Sequence, residues 1–360
     1  MAPPRLPGSY LVVELTNRCS LACVHCSVSE EGHPHHERTG YIDTQLVLDL
    51  FEDLRRSGGG FDVLILFWLG EPLLHPYFSL IYQTALRLSA EWGTFRQVEV
   101  HTNGTHLDEA ATRVALNDSA VRQVWHFSLD AASQPTYLAI KGMDRFDRVE
   151  SNIARFIAEK GRVGARYPRP VFQFIVSDRN AAEVPSFLRR WSRVCERAGL
   201  PVRAAAQNVP PGEDAVVFFR QLDCPTPEEQ ARQNAVFRQA MERQGLSLPR
   251  EHQSPVSLRA ENLHACSGFW KSPVVGWQGD LTTCTRDNLL ENRLGNLRSA
   301  PFSALWWGAA MAGRRARVAQ GDYSGNPPCG TCFIPRSANY SELSPDDVQR
   351  QAAYDRAGQR

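Results

Sequence analysis

The sequence lacks any long hydrophobic run. Its longest uninterrupted apolar stretch, Val63–Leu69, is far shorter than the roughly 20 residues that a transmembrane helix requires. Near the N-terminus, Glu14 interrupts Tyr10–Leu15, the one stretch that resembles the apolar core of a secretory signal peptide. These absences predict a cytoplasmic protein that has no membrane partner.

The sequence also lacks an excess of charge of either sign. Its 40 Lys and Arg residues offset 39 Asp and Glu residues, which leaves a formal net charge of +1. Basic side chains are interleaved with acidic ones, whereas a nucleic-acid-binding protein usually concentrates its basic residues. We therefore expect no nucleic-acid partner, and a small neutral or mixed-charge substrate.

Cysteine, by contrast, is plentiful, with nine residues in a chain of 360. Because the cytosol keeps thiols reduced, the spacing of these cysteines points first to metal or cluster ligation rather than to disulfides. Seven of the nine fall into two patterned groups. Of the two others, Cys195 lies in an apolar helical pattern and is predicted to be a buried apolar residue, while Cys224 lies in an irregular segment.

From Tyr10 to about Ala206 the chain alternates β-rich runs with amphipathic helical segments, which is typical of parallel β/α units. Six strands are predicted, at Tyr10–Leu15, Val63–Trp68, Gln97–Thr102, Gln123–Leu129, Val171–Val176 and Val202–Ala206. Six strands are too few for a closed eight-stranded barrel. The predicted fold class is therefore α/β, a partial (β/α)6 TIM-like barrel, followed by a small Cys-rich α+β domain.

Changes in composition divide the chain into four predicted segments. Residues 1–208 form the partial barrel, 209–263 a linker or insertion with one helix at Glu228–Arg243, 264–343 the cysteine-rich domain, and 344–360 a polar, frayed tail. The turn signal Gln278-Gly279-Asp280 predicts a hairpin in the third segment.

Three cysteines follow the first predicted strand with C-x3-C-x2-C spacing: Cys19, Cys23 and Cys26. Three thiolates on a tight loop can ligate three irons of a 4Fe-4S cluster and leave the fourth iron open to a reactant. On spacing alone, two alternatives stay open. One is a structural zinc site completed by a nearby histidine such as His25, and the other is three buried thiols.

This segment resembles the cluster-binding loop of the radical S-adenosylmethionine (SAM) superfamily, and motifs further along the chain strengthen the resemblance. They are Gly70-Glu71-Pro72, Thr102-Asn103, Ser128-Leu129-Asp130 and Gln173. Each motif alone is an ordinary turn or cap. Most of them fall at the carboxyl ends of successive predicted strands, and Gln173 falls in the fifth strand. Ligands of parallel β/α proteins bind at the edge of the sheet where the carboxyl ends of the strands lie.

The resemblance implies which residues bind the cofactor. Glu71 would receive the methionine amino group and Gly70 would allow close approach, although Leu69 stands where the family usually has a first glycine. Ser128 and Asp130 would approach the ribose and the methionine carboxylate, and Gln173 the adenine or ribose. His25, Pro72, Thr102 and Asn103 complete the predicted set of cofactor-binding residues.

A second group of four cysteines occupies the last third of the chain: Cys266, Cys284, Cys329 and Cys332. Four thiolates suit either a fully ligated 4Fe-4S cluster or a zinc ion, and spacing does not separate the two. The segments Ser272–Cys284 and Arg293–Leu297 resemble the auxiliary-cluster domain called SPASM or, in its one-cluster form, Twitch. The resemblance implies one auxiliary 4Fe-4S cluster.

The resemblance also implies an activity. A flavodoxin- or ferredoxin-type donor would reduce the SAM-bound 4Fe-4S cluster, and the 5'-deoxyadenosyl radical from SAM cleavage would take a hydrogen atom from the substrate. We expect an oxidoreductase of antibiotic biosynthesis that converts an alcohol of a small sugar- or aminocyclitol-type metabolite to a ketone.

Three alternatives stay open. In an epimerase, Cys224 would return a hydrogen atom to the substrate. A peptide-modifying enzyme is the second alternative; no extension resembling a leader-peptide-binding domain precedes the first strand, although a separate chain can supply one. The third is a non-catalytic metal-cluster protein.

Overall fold

A computed structural model of the chain describes residues 2–29, 33, 37–117, 119–224, 226–248, 264–332, 334–336 and 343–358. Within these residues, one sheet contains ten strands: β1 Tyr10–Val13, β2 Phe61–Leu66, β3 Phe95–Thr102, β4 Arg122–Ser128, β5 Arg169–Val176, β6 Val202–Ala206, β7 Ala215–Gln221, β8 Val274–Val275, β9 Asp280–Thr282 and β10 Gly295–Asn296. Their order across the sheet is β10-β9-β8-β1-β2-β3-β4-β5-β7-β6. All pairings from β8 to β6 in this order are parallel.

The helices within the described residues are α1 Thr44–Ser57, α2 Phe78–Trp92, α3 Glu109–Ala115, α4 Gln134–Lys141, α5 Phe146–Val163, α6 Val184–Arg197, α7 Pro227–Arg243, α8 Gly268–Lys271, α9 Phe302–Trp306, α10 Ala309–Val318, α11 Pro327–Thr331 and α12 Pro345–Ala357. Short 3-10 helices occur at Ser27–Ser29, Pro72–Leu74, Ala181–Glu183 and Ile334–Arg336. None of the helices in this part of the chain is both long and apolar enough to cross a bilayer.

The predicted α/β architecture is confirmed. All six predicted strands are present, with bounds shifted by two residues at most. In α1, the Asp43 side chain accepts a hydrogen bond from the Gln45 N–H at the start, and Gly58 ends the helix with a φ of +68°. One face of α1, including Phe51, is buried against the sheet. Each such large apolar side chain contributes about 1.5–3 kcal/mol through burial.

The prediction of a linker with a single helix after residue 208 missed a strand. β7 lies between β5 and β6 and pairs in parallel with both. Its sequence runs Ala215-Val216-Val217-Phe218-Phe219, and a continuous apolar run is typical of a strand that is covered on both faces. The proline and glycine break at residues 210–212 concealed this strand, because it suggested that the sheet had already ended.

The C-terminal region continues the same sheet. β8 and β9 form the predicted antiparallel hairpin, and β8 also pairs in parallel with β1. The prediction of a frayed tail was wrong, because residues 345–357 form α12. Ser344 and Asp347 make reciprocal capping hydrogen bonds at the start of α12, and Asp347 pairs with Lys271 at 2.8 Å. These buried polar contacts explain why a segment of polar composition is ordered.

Candidate active site

The loop after β1 carries the first three cysteines and lies against the end of α4. The N–H groups of Ala22 and Val24 donate hydrogen bonds to the carbonyl oxygens of Lys141 (3.0 Å) and Ile140 (2.9 Å). Gly142, with a φ of +70°, permits this contact, because a Cβ there would lie 2.3 Å from the Ala22 oxygen. Backbone contacts with a neighbouring helix therefore hold the cysteine loop.

A second loop, after β2, approaches the cysteine loop at Gly70. A Cβ atom at Gly70 would lie 2.1 Å from the Thr16 carbonyl oxygen, so only glycine allows the two backbones to come this close. The N–H of Glu71 then donates a 2.8 Å hydrogen bond to the Arg18 carbonyl oxygen. Although Leu69 replaces the family's first glycine, Gly70 makes the close approach that the motif requires.

Glu71 is 1% exposed, and its carboxylate accepts three hydrogen bonds. Oε1 accepts from the Thr102 hydroxyl (2.7 Å) and the Leu73 N–H (3.1 Å), and Oε2 accepts from the Asn103 N–H (2.7 Å). Burial raises the pKa of Glu71 to about 7, although these donors favour the carboxylate. The Asn103 amide nitrogen also lies 3.6 Å from Cys19 Sγ. The predicted residues of β2 and β3 thus meet beside a cluster cysteine.

Asp130 follows β4 with a φ of 60°, and its carboxylate is buried. Oδ2 accepts a 2.5 Å hydrogen bond from Lys141 Nζ and lies 3.7 Å from His25 Nε2, while Oδ1 accepts from the Ile175 N–H at 2.7 Å. Burial lowers the pKa of Lys141, but the charge of Asp130 outweighs this effect, so the net pKa is raised. Asp130 therefore lies between Lys141 of α4 and His25 of the cysteine loop. Its direct contact with SAM stays a prediction.

The remaining predicted cofactor-binding residues lie at the same edge of the sheet. Ser128 and Gln173 are partners in the register of β4 and β5, and the Gln173 carbonyl accepts a 3.1 Å hydrogen bond from the Leu129 N–H. Pro72 begins the short helix that Glu71 caps. The fold thus gathers these residues at the carboxyl ends of β2 to β5, and their contacts with SAM stay predictions.

In the C-terminal region, four cysteines from three segments converge: Cys266, Cys284, Cys329 and Cys332. Burial raises the pKa of Cys266 to about 12, and the charges of the other three thiols raise it as well. Two N–H donors approach the sulfurs, since Asn292 Nδ2 lies 3.1 Å from Cys329 Sγ and the Arg286 N lies 3.4 Å from Cys284 Sγ. Such hydrogen bonds tune the potential of iron–sulfur clusters.

The donor sets match two kinds of iron–sulfur cluster. Each cysteine supplies one thiolate, and a four-iron cluster binds each thiolate at a different iron. N–H groups lie near the sulfurs of Cys19, Cys284 and Cys329, as suits cluster ligands that accept hydrogen bonds. The donor sets therefore fit a three-cysteine cluster with one open iron and a four-cysteine auxiliary cluster.

A cavity of about 650 Å³ extends from the cysteine loop to the auxiliary region. His25 and Cys26 line one side of it, and Thr285 and Arg286, which follow Cys284, line another. Its wall also carries charges of both signs, at Asp178, Arg179, Asp223, Glu229, Arg232 and Arg286. The cavity thus adjoins the surroundings of both cysteine sets.

The two spare cysteines have different surroundings. Cys195 is fully buried in α6, as predicted. Cys224 follows β7 and lies in the wall of the cavity, with its thiol 3.9 Å from the Leu222 carbonyl oxygen. Burial raises the pKa of Cys224 to about 11, so its sulfur keeps a hydrogen atom at neutral pH.

Two residues of this region were not predicted from the sequence. Lys141 is one of three lysines in the chain, and its position in α4, 11 residues after Asp130, was the available signal. Tyr10, on β1, lies near the auxiliary cysteines. Burial, followed by the charge of Cys284, raises the pKa of Tyr10 to about 12. No sequence pattern marks Tyr10, because its proximity to Cys284 depends on the pairing of β1 with β8.

Known protein families match both parts of the chain. The radical SAM superfamily matches residues 13–170, and the iron–sulfur cluster-binding domain SPASM matches residues 266–333. Mycofactocin maturase MftC of Mycobacterium tuberculosis (strain CDC 1551 / Oshkosh) is 30% identical over 191 residues. That alignment covers 51% of this chain and 41% of the maturase, so the chain matches less than half of that relative's length.

Solved structures share the fold across nearly the whole chain. The structure of anSMEcpe with bound AdoMet has a TM-score of 0.58 at 14% identity, covering 98% of this chain and 96% of that one. SuiB of Streptococcus suis, bound to S-adenosylmethionine, has a TM-score of 0.55 at 11% identity, covering 93% and 76%. At such identities the likeness is one of fold. With both family matches and both cysteine sets in place, residues 13–170 belong to the radical SAM superfamily and residues 266–333 to the SPASM iron–sulfur domain, so the chain binds a SAM-liganded 4Fe-4S cluster and an auxiliary cluster.

Proposed function

We propose that this enzyme oxidises an alcohol of a small polyhydroxylated metabolite, of the sugar or aminocyclitol type, to a ketone. The observation that carries the proposal is the single cavity bordered by Cys26 of the catalytic loop and by Thr285 and Arg286 beside Cys284. When bound, the catalytic cluster and SAM would supply a radical that removes the hydrogen atom from carbon, and the auxiliary cluster would accept one electron as the hydroxyl group loses its proton to a base or to water.

The size and polarity of the cavity support a small hydrophilic substrate. Its volume of about 650 Å³ lies within the range of about 300–1,000 Å³ that is typical of small-molecule sites. Arginine side chains such as Arg179 and Arg232 can donate hydrogen bonds to hydroxyl oxygens, and Asp178 and Glu229 can accept them from hydroxyl or ammonium groups.

Ion pairs hold the wall of this cavity in place. Asp223 lies 3.1 Å from Arg220 of β7 and 3.7 Å from Arg286 of the auxiliary region. The Asp223 carboxylate therefore connects the end of the barrel sheet to the segment that follows Cys284. This connection links the two sides of the cavity between which the substrate would lie.

Product analysis tests the proposal. Protein reconstituted with iron and sulfide, with dithionite or reduced flavodoxin as donor, is given SAM and a panel of aminocyclitols and sugars. We expect methionine, 5'-deoxyadenosine and a ketone two mass units lighter than its substrate. Deuterium at the oxidised carbon should pass to 5'-deoxyadenosine. Absence of SAM cleavage would refute radical chemistry, and cleavage without any polyol oxidation would refute the substrate class.

Epimerisation is a second candidate, favoured by the position of Cys224 in the wall that also contains His25 and Cys26. A thiol there could return a hydrogen atom to the substrate radical. Turnover in D2O distinguishes the reactions, because an exchangeable thiol would place deuterium on the epimerised carbon. An epimerase would lose its product in the Cys224→Ala variant, whereas a dehydrogenase would keep forming ketone.

Peptide modification is a third candidate, supported by the 30% identity to a mycofactocin maturase over 191 residues. It predicts that peptides, and not aminocyclitols, stimulate 5'-deoxyadenosine formation and change in mass. The fourth possibility, a protein without catalysis, conflicts with the intact contacts of Gly70 and Glu71 beside the cysteine loop.

A further inference from the structure

Three ionisable side chains form a cluster inside the curved sheet, away from the cysteines: Glu99, His101 and His126. Glu99 and His101 are two residues apart on β3 and therefore lie on the same face of the strand. His126 on β4 is the register partner of His101. Val98 and Val100, which point the opposite way, pack in the apolar core under the helices. Glu99 and His101 therefore face the interior of the partial barrel, where the two imidazole ring centroids are 4.1 Å apart.

Both imidazoles direct Nε2 at the same carboxylate oxygen. Glu99 Oε2 lies 3.0 Å from His101 Nε2 and 3.6 Å from His126 Nε2. The three ligand atoms lie within 4.8 Å of one another. An ion bound at about 2.1 Å would place its ligand atoms about 3.0–3.4 Å apart. The Gln97 amide donates a 2.5 Å hydrogen bond to Oε1, which fixes the carboxylate and leaves Oε2 facing the histidines.

His126 has unmet binding capacity. It is 6% exposed, its Nδ1 has no partner among the described residues, and its Nε2 is beyond hydrogen-bond distance from Glu99. Because buried polar atoms are normally paired, such an imidazole indicates a ligand. Burial and the neighbouring His101 lower the pKa of His126 to about 3, so the ring is neutral, as a metal ligand must be.

The charge of the cluster suits a cation. Although burial opposes ionisation, the hydrogen bonds from His101 and from the Gln97 amide help to give Glu99 a net lowered pKa. One neighbouring cation, Arg220, shares the carboxylate of Asp223 with Arg286. The side chains of Glu99 and His101 are 15% and 18% exposed, so they reach the barrel interior, whereas the neighbouring layer, which contains Phe218, is apolar.

We propose that Glu99, His101 and His126 bind one divalent transition-metal ion that keeps an open coordination position facing the barrel interior. Two imidazoles and one carboxylate are the ligands of many zinc and non-haem iron sites. His126 lies two residues before Ser128 on the same strand face, so the ion would lie about 7 Å further into the barrel than the predicted SAM-binding edge.

Metal analysis of the reconstituted protein tests this site. After full loading with iron and sulfide, the protein is titrated with Zn²⁺, and bound zinc and iron are counted together after gel filtration. We expect one zinc per chain in addition to the cluster iron. Glu99→Gln, His101→Gln and His126→Gln should each weaken zinc binding at least about tenfold with iron content unchanged. His106→Gln, which changes a histidine outside the cluster, is the matched control and should keep the zinc.

Two results would overturn the proposal. One is no bound zinc in the wild type, and the other is equal zinc binding in all four variants. If a variant fails to fold, EPR and 14N ENDOR spectra of Co²⁺ bound to the wild type identify the ligands of the ion. The oxidised clusters are diamagnetic, so they give no EPR signal that would overlap the Co²⁺ signal. Coupling to two imidazole nitrogens supports the site, whereas thiolate coordination or no coupling excludes it. Neither measurement depends on turnover, so failure here is distinguishable from failure of the proposed oxidation.

Discussion

The two cysteine sites are assembled in opposite ways. The cysteines that are predicted to bind the SAM-liganded cluster lie on one loop, within residues 19–26, and neighbouring backbone groups hold that loop at Gly70 and Gly142. The auxiliary cysteines come from three segments within residues 266–332. N–H groups approach sulfurs at both sites, from Asn103 at Cys19 and from Asn292 and Arg286 at Cys329 and Cys284. The first site thus takes its three cysteines from one segment, whereas the second takes its four from segments that the fold of the C-terminal region brings together.

This difference matches the chemistry of the two clusters. A site with three ligands leaves one iron open to SAM, so a tightly held loop keeps that iron accessible from one direction. In a site with four ligands, every iron is bound by a cysteine and none is open to substrate. We expect such a cluster to transfer electrons. The same loss of one cysteine should therefore have unequal consequences in the two regions.

The largest expected effect comes from removing one cysteine of each set. Cys23→Ala should reduce SAM cleavage at least about a thousandfold, because radical formation depends on the catalytic cluster. Cys284→Ala should leave SAM cleavage measurable and abolish only the complete oxidation. Each variant should fall from about eight to about four irons per chain. Equal loss of SAM cleavage in both, with unchanged circular dichroism, would contradict the separation of roles. Iron analysis and 5'-deoxyadenosine assays measure these outcomes.

Each region also contains one buried lysine–aspartate pair, Lys141–Asp130 at 2.5 Å and Lys271–Asp347 at 2.8 Å. Lys141→Met leaves a buried carboxylate beside the catalytic loop and should cost about 3–5 kcal/mol in the free energy of unfolding. Lys271→Met should cost less, because α12 can carry Asp347 into solvent. Urea unfolding measures both effects.

The two lysine variants should also differ in function, since only Lys141 lies near the catalytic loop. We expect SAM cleavage to fall in Lys141→Met and to persist in Lys271→Met. Arg162→Met removes an exposed ion pair with Glu159 and is the control that should change neither quantity. An unaffected Lys141→Met variant would show that the pair does not support the loop.

A smaller effect is expected at the close approach of the two loops. In Gly70→Ala, the added Cβ meets the Thr16 carbonyl oxygen, so the variant should lose about 1–3 kcal/mol of stability. Gly313→Ala adds the same methyl group within α10, where no atom lies within 4 Å, and should be neutral or slightly stabilising. Thermal unfolding compares them. Equal melting temperatures in the two variants would be inconsistent with a steric role for Gly70.

The smallest effect concerns Glu14, which joins the two regions by accepting hydrogen bonds from the Trp277 N–H (3.0 Å) and the Leu69 N–H (3.3 Å). Burial raises the pKa of Glu14 from 4.5 to about 7. As pH rises through this window, the unfolded chain releases a proton that the folded chain still holds, so stability falls, by at most about 1.4 kcal/mol per pH unit.

Glu14→Gln should therefore make the decline between pH 5 and 7 shallower, as measured by urea unfolding at several pH values. The slope that remains is expected from Glu71, whose pKa is also raised to about 7. If the wild type and Glu14→Gln had parallel pH profiles, the carboxyl group of Glu14 would not titrate in this window.

Local patterns predicted the features that local physics determines. The six predicted strands follow from periodicity and turn chemistry, and the family resemblance supplied the cofactor motifs near the ends of those strands. β7 was missed because no local signal shows that a late strand inserts between β5 and β6. The capping signal of α12 was present in the sequence, but the partner that anchors this helix, Lys271, is distant from it in the chain.

The interior of the barrel was similarly inaccessible to sequence reasoning. The pairing of Lys141 with Asp130 depends on the contact of α4 with the cysteine loop. The meeting of His101 with His126 depends on the register of β3 against β4. A one-residue shift of that register would send one imidazole to the opposite face of the sheet. Such juxtapositions exist only in three dimensions.

The pairing of β1 with β8 also has a consequence for the order of folding. The N–H groups of Val12 and Glu14 donate hydrogen bonds to the carbonyl oxygens of Pro273 and Val275, so this edge of β1 stays uncovered until the last third of the chain is made. During synthesis, the backbone N–H and C=O groups on this edge of β1 therefore stay exposed, and they can pair with a strand of another chain. Truncation before residue 264 would make that transient aggregation hazard permanent.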